Sequence, residues 1–339
     1  MKAWQTIRTG RPSDALVLNA DAPGPEPYPG TICLDVLVAG IGLPDALMCE
    51  GRYAFKPAFP FTQGQEAVGR ISSWGSGVTN RRVGDRVMAV TSFFTGHGSF
   101  AEQCLALDDF CLPVPEEMTD VQAGAFLIPM HTAYVGLIQR ARLEAGESLL
   151  VLGGAGGTGS AAIQVGRALG ATVITTAGGP AKVEFCRSLG ADVVIDYRSE
   201  DIAVRVLEAT EGKGVNVIYD PVGGETFTTG TKCIAHEGRI LAIGFASGSW
   251  GHPDIAHMVE RNYSVLGVVP SGYDRAFKES AQDRLIQWWR SGAIQIPAEE
   301  AAENSVDFSA LPEALERLQA GGVHGKLTLV VDPKAKLSL

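Results

Sequence analysis

The residues best suited to chemistry are glycines. Within Gly153-Gly154-Ala155-Gly156-Gly157-Thr158-Gly159, the spacing Gly154, Gly156, Gly159 reads GxGxxG, between an apolar run at Leu149-Leu150-Val151-Leu152 and a helix-prone stretch from Ser160 to Leu169. Glycines so spaced let the chain turn tightly, bring backbone N–H groups close to a pyrophosphate and pack a helix against a sheet. The start of the helix adds a positive partial charge there. Gly154, Gly156, Gly157, Thr158 and Gly159 are therefore the expected cofactor-binding turn. An NAD site places an acid about 20 residues past the first glycine, on the ribose 2′-hydroxyl. Here Thr172 to Lys182 holds no acid; Thr175, Thr176 and Gly178 lead to Lys182, and Tyr197-Arg198 follows the next strand. A carboxylate would repel a 2′-phosphate and an ammonium attracts it, so the pocket reads as one for NADPH.

The elements that must position this turn form a series of short, β-branched runs. Ala171–Thr175, Asp192–Ile195, Val215–Tyr219, Arg239–Ile243 and Ser264–Val269 follow the first run, with helical stretches such as Ala181–Leu189 between them. Six strands with helical crossovers make an α/β, doubly wound parallel sheet, which binds ligands outside the carboxyl ends of its strands. The first 125 residues differ. Their Pro and Gly content and short runs at Cys33–Val38, Ala67–Ile71 and Asp85–Val90 predict a β-rich domain with irregular loops, and the C-terminal stretch adds helices near Ala281–Ser291 and Leu311–Ala320 and a strand at Lys326–Val331.

With 28 Lys and Arg against 38 Asp and Glu, the 339-residue chain carries a formal charge of −10, which argues against nucleic acid or an anionic membrane as partner. No secretory signal is expected in Met1–Asp14. The longest apolar stretch, Ala123–Ile138, is interrupted by Pro129 and His131 and is not expected to span a membrane. The six cysteines form no CxxC pair, so a cytoplasmic protein without disulfides is expected.

The whole chain resembles the zinc-independent quinone oxidoreductase branch of the medium-chain dehydrogenase/reductase superfamily. The resemblance runs through Val83-Gly-Asp-Arg-Val87, Gly98-Ser-Phe-Ala-Glu102, Thr132-Ala-Tyr134, the glycine turn, Ala191–Arg198, Tyr219-Asp-Pro-Val-Gly-Gly224 and Gly238–Gly248. It implies a GroES-like catalytic domain (1–125 with 270–339), a Rossmann NADP-binding domain (126–269) inserted between, and a homodimer. The family's 2′-phosphate contacts match Lys182 and Tyr197, and Thr132, Val222, Gly244 and Phe245 match positions beside the ribose and nicotinamide. Tyr53 matches the active-site tyrosine and is the expected proton donor. Asp45 matches another position, with a structural capping role weighed ahead of catalysis.

Where zinc-dependent members carry ligands, this chain has Gly42-Leu43 and Gln65, so no metal is expected. Gly42 stands where the quinone reductases place an Asn, and Leu47 where many have a second Tyr. The substrate pocket thus loses two polar groups, which leaves two acceptors in view: a quinone, or the C=C bond of an enone or enoyl thioester. A third reading is an NADPH-binding structural or regulatory protein with little turnover. His131 and His252 are lone histidines, of a kind more often structural than catalytic.

Overall fold

The computed structural model describes residues 1–296 and 298–337. The chain divides into two compact units, one comprising Met1–Ile128, Asp274–Glu279 and the chain from Ile296 onward, the other Pro129–Tyr273 and Ser280–Gln295. Strands are numbered along the chain.

The first unit holds a two-stranded ribbon, β1 (Ala3–Thr6) with β2 (Leu16–Asn19), and a sheet of β3 (Thr31–Ile41), β4 (Glu66–Trp74), β5 (Arg86–Thr91), β6 (Gln103–Pro113), β13 (Ser305–Asp307) and β14 (Leu327–Val330). The sheet runs β13-β14-β3-β4-β5-β6. The eleven residues of β3 serve three neighbours. The segment Val38–Ile41 pairs with β14, Thr31–Asp35 pairs with β6, and β4 runs along nearly the full length, so the sheet closes on itself. Ile32, Leu34, Val36, Ile71, Phe100 and Leu329 fill its interior. Alternating burial of this kind is how an antiparallel sheet pairs a packed face with a wet one.

The second unit carries β7 (Ser148–Val151), β8 (Thr172–Ala177), β9 (Val193–Asp196), β10 (Val215–Asp220), β11 (Ile234–Ala242) and β12 (Ser264–Gly267), all parallel, in the order β12-β11-β10-β7-β8-β9. This is the doubly wound arrangement expected from the sequence, and its order reverses between β7 and β10, where ligands of such sheets bind. Leu150, Leu152, Ile174, Ile195, Ile218 and Ile240 form the core beside the sheet.

Two details depart from the sequence reading. Pro129 does not break the apolar stretch: helix Leu127–Tyr134 carries it in its first turn, where a backbone N–H has no helical partner to lose. Residues 280–295, expected with the terminal segment, group with the second unit. Helix Arg275–Arg290 buries Ala281, Gln282 and Leu285, and Gln282 Oε1 lies 2.9 Å from His131 Nε2.

Candidate active site

In the second unit β7 leads into helix Gly157–Ala168 through the glycine turn. Gly153 N donates to Thr176 Oγ1 (3.0 Å) and Gly154 N to Thr176 O (2.9 Å), which ties the turn to the end of β8. The glycines are not equivalent. A β-carbon on Gly154 would collide with Thr175 Oγ1, and one on Gly159 with the Gly153 carbonyl, so packing alone demands glycine at both. Gly156 is exposed, has a negative φ of −81°, and a β-carbon there would meet nothing nearer than 3.5 Å. Neither packing nor backbone geometry requires glycine at that position. What a bare Gly156 gains is close approach by something outside the chain, at a helix start whose first N–H groups, from Gly157 to Gly159, lack helical acceptors. Val222 overlies Gly153, with Cγ2 3.1 Å from that residue's β-position, and Gly244 lies against the Pro221 carbonyl. The structure thus gathers the turn, Val222 and Gly244 at the carboxyl ends of β7, β10 and β11. Phe245 packs on Trp250, ring centroids 4.7 Å apart. Thr158 is half-buried in the first turn of helix Gly157–Ala168, and Thr132 is buried beside His131.

Past β8, Gly178 is covered by side chains from the next strand's end: a β-carbon there would collide with the Tyr197 hydroxyl and lie 3.2 Å from Arg198 Nε. Lys182, two residues into the helix that Pro180 opens, has its pKa lowered by burial and by the Arg198 charge. A phenol and a guanidinium therefore cover Gly178, and the Lys182 ammonium stands close enough to Arg198 to feel its charge. Asp196 at the end of β9 spends Oδ1 on the Gly179 and Arg198 amides. A lysine set beside an arginine charge marks a place for an anion.

In the first unit Gly42 starts helix Leu43–Cys49, and Asp45 Oδ2 accepts from Gly42 N at 2.8 Å, closing the first turn. Asp45 is 1% exposed, and its Oδ1 makes no hydrogen bond. Burial drives its pKa up to about 7, against the pull of the Gly42 amide and the Lys326 ammonium, and the Glu66 carboxylate pushes it further up. Lys326 Nζ lies 2.5 Å from Glu66 Oε1, and Glu66 Oε2 accepts from Ile128 N at 3.0 Å. Tyr53, half-buried, has its phenol pKa raised by burial and by Asp45, while the Gln65 amide acts on it in the opposite sense. The phenol stays protonated and able to donate a hydrogen bond, while the rise makes it a weaker acid. Leu47 is buried on the same helix, beside Met48.

At the two positions where zinc-dependent relatives place ligands, Gly42 offers no side chain and Gln65 only an amide. Among the described residues no group of three or more His, Cys, Asp or Glu could hold a metal ion. The six cysteines are buried and unpaired, with thiols held protonated by burial. The residues present do not fit catalytic zinc. His131 is fully buried against Gln282, and His252 is exposed in a loop.

Sequence reasoning did not assign roles to Lys326 and Glu66. The signal was available: a charge stands directly against each apolar strand, Glu66 before Ala67-Val68 and Lys326 before Leu327. A charge so placed needs a partner.

Residues 28–116 match the alcohol dehydrogenase GroES-like domain and residues 157–287 the zinc-binding dehydrogenase family. The mouse quinone oxidoreductase is 30% identical over 339 residues, covering 98% of each chain. The quinone oxidoreductase-like protein 2 homolog of Nematostella vectensis is 33% identical over 261 residues, 76% of this chain and 71% of its own. The structure of the Escherichia coli quinone oxidoreductase complexed with NADPH superimposes with a TM-score of 0.89 at 28% identity, over 97% of this chain and 100% of that one. The chain belongs to the quinone oxidoreductase branch of the medium-chain dehydrogenases/reductases.

Proposed function

We propose that this chain is a zinc-independent oxidoreductase that passes hydride from NADPH to a quinone or similar conjugated carbonyl acceptor. The observation that carries the cofactor is the cover of Tyr197 and Arg198 over Gly178 with the Lys182 charge within reach of Arg198, the right chemistry for a 2′-phosphate at the end of β8. It is supported by relatives named quinone oxidoreductases, one of them solved with NADPH. Bound NADPH supplies a hydride with its two electrons; with one proton, the quinone leaves as hydroquinone and the cofactor as NADP⁺.

The chain's own residues do the rest. Gly154, Gly156, Gly157, Thr158, Gly159 and Thr176 form the pyrophosphate cradle, with Thr132, Val222, Gly244 and Phe245 beside the ribose and nicotinamide. Tyr53 donates a hydrogen bond and then a proton to the acceptor oxygen. Asp45 holds the Gly42 turn through its cap, and Gly42 and Leu47 are the positions assigned to the acceptor pocket, Gly42 facing Asp45 and Lys326. The net charge of −10 supports the absence of a nucleic-acid partner and the free cysteines support a cytoplasmic location, while the homodimer rests on the family resemblance. No helix among the described residues is long and apolar enough to cross a membrane.

The bare Gly42 and apolar Leu47 also favour a second acceptor, the C=C bond of an enone or enoyl thioester. A turnover screen with NADPH against benzoquinones, naphthoquinones, aryl enones and crotonyl-CoA separates the two. Quinone turnover dominating is the expected result, enone or thioester turnover dominating selects the second reading, and NADPH binding without turnover identifies a binding protein.

A further inference from the structure

Four aromatic rings adjoin at Tyr53. The Tyr53 ring lies 6.2 Å from Phe55, Phe55 stands edge-on to Phe93 at 5.7 Å, and Phe94 lies 5.7 Å from Phe93 and 6.1 Å from Phe55. Phe93 is the anchor, 8% exposed and packed with Met48 and Phe61. Phe55 and Phe94 rise from it and remain 50% and 37% exposed. A fold seldom leaves two large rings in water side by side when one turn of backbone could bury them, and contiguous exposed apolar surface marks a binding place. Two or three rings fall well short of the roughly 800 Å² per partner of a stable protein interface, so the occupant is small. The patch adjoins the Tyr53 ring through Phe55, so a ligand resting on it lies beside the residue proposed as donor. Offset and edge-to-face contacts with phenyl rings reward flat, fused aromatic systems.

We infer that Phe55 and Phe94 form a shelf that selects planar fused-ring acceptors over single-ring ones. This rests on Tyr53 marking the acceptor end of the proposed reaction, and it assigns specificity to residues outside the cofactor cradle. The test compares kcat/KM for 1,4-anthraquinone and 1,4-benzoquinone, with NADPH, in the parent protein, Phe55→Ala, Phe94→Ala, the double variant and Phe55→Leu. The anthraquinone-to-benzoquinone ratio is expected to fall at least tenfold in the double variant and at least threefold in Phe55→Leu, which keeps apolar bulk without a ring. A double-variant ratio within twofold of the parent overturns the shelf, as does an equal loss with both acceptors. Binding of the non-reducible tricycle 9-anthracenemethanol, followed by its fluorescence, separates this inference from the reaction itself. If the parent reduces no quinone yet binds the tricycle at least tenfold more tightly than the double variant, the shelf stands and the quinone reading fails. If the parent does not bind the tricycle, the shelf fails whatever the turnover.

Discussion

At the end of β7 the working surface is backbone, whereas in the Tyr53 loop it is side chains. Gly154 and Gly159 are fixed by collisions inside the fold, and Gly156 is bare although nothing inside the fold asks for it. Around Tyr53 the reverse holds: Gly42 and Leu47 offer no polar side chain, and the surface is made by rings at 53, 55, 93 and 94, with the buried Asp45 carboxylate acting on the Tyr53 phenol. A site built from backbone tolerates almost no substitution and so preserves one cofactor. A site built from side chains can change its acceptor while the fold stays still.

The contrast is sharpest in paired glycine variants. Gly159→Ala drives a β-carbon into the Gly153 backbone, which cannot swing aside as a side chain can, and is expected to cost about 3 kcal/mol in chemical denaturation. Gly156→Ala should leave stability within about 0.5 kcal/mol of the parent while weakening NADPH binding at least tenfold, about 1.4 kcal/mol. If both variants merely destabilise, Gly156 is a folding residue and the cradle assignment falls.

On the other side of the comparison, Tyr53→Phe removes the donor and leaves the ring on Phe55. A fall in kcat of about 10²-fold with little change in KM is expected for a group acting mainly in the transition state. A rise in KM at unchanged kcat would make Tyr53 a packing residue.

Asp45 sharpens the comparison through pH. Its native pKa of about 7 lies above its ordinary 3.8, so the stability it allows is fully present below about pH 4 and is lost as pH rises toward 7. Asp45→Asn keeps an oxygen for the Gly42 amide and does not ionise. Relative to the parent it should gain about 2 kcal/mol between pH 5 and pH 8 in urea denaturation. A difference independent of pH would show that the buried carboxyl is not carrying this strain.

How much of this was legible in the sequence follows the same divide. Runs of apolar and β-branched residues announce the six parallel strands, most plainly the central β7 and β10, which are buried along nearly their whole length, whereas the edge strand β12 is not. Strand boundaries were less exact: β11 begins at Ile234, ahead of the expected Arg239, because Ile234 pairs with Val215 before a shift in register. The glycine turn could be read because its spacing is local. The Phe55–Phe93–Phe94 shelf could not, since it joins residues far apart in the chain, and of the Asp45, Glu66 and Lys326 group only the two charges set against apolar strands could be read, not their meeting.

Lys182→Glu places a negative charge where the 2′-phosphate is expected, and should cost NADPH about tenfold, roughly 1.4 kcal/mol, while sparing NADH. The most direct measurement is the titration behind that variant, NADPH and NADH bound to the unmodified protein under the same conditions. The account predicts NADPH at least tenfold tighter; NADH bound equally well or better would contradict it.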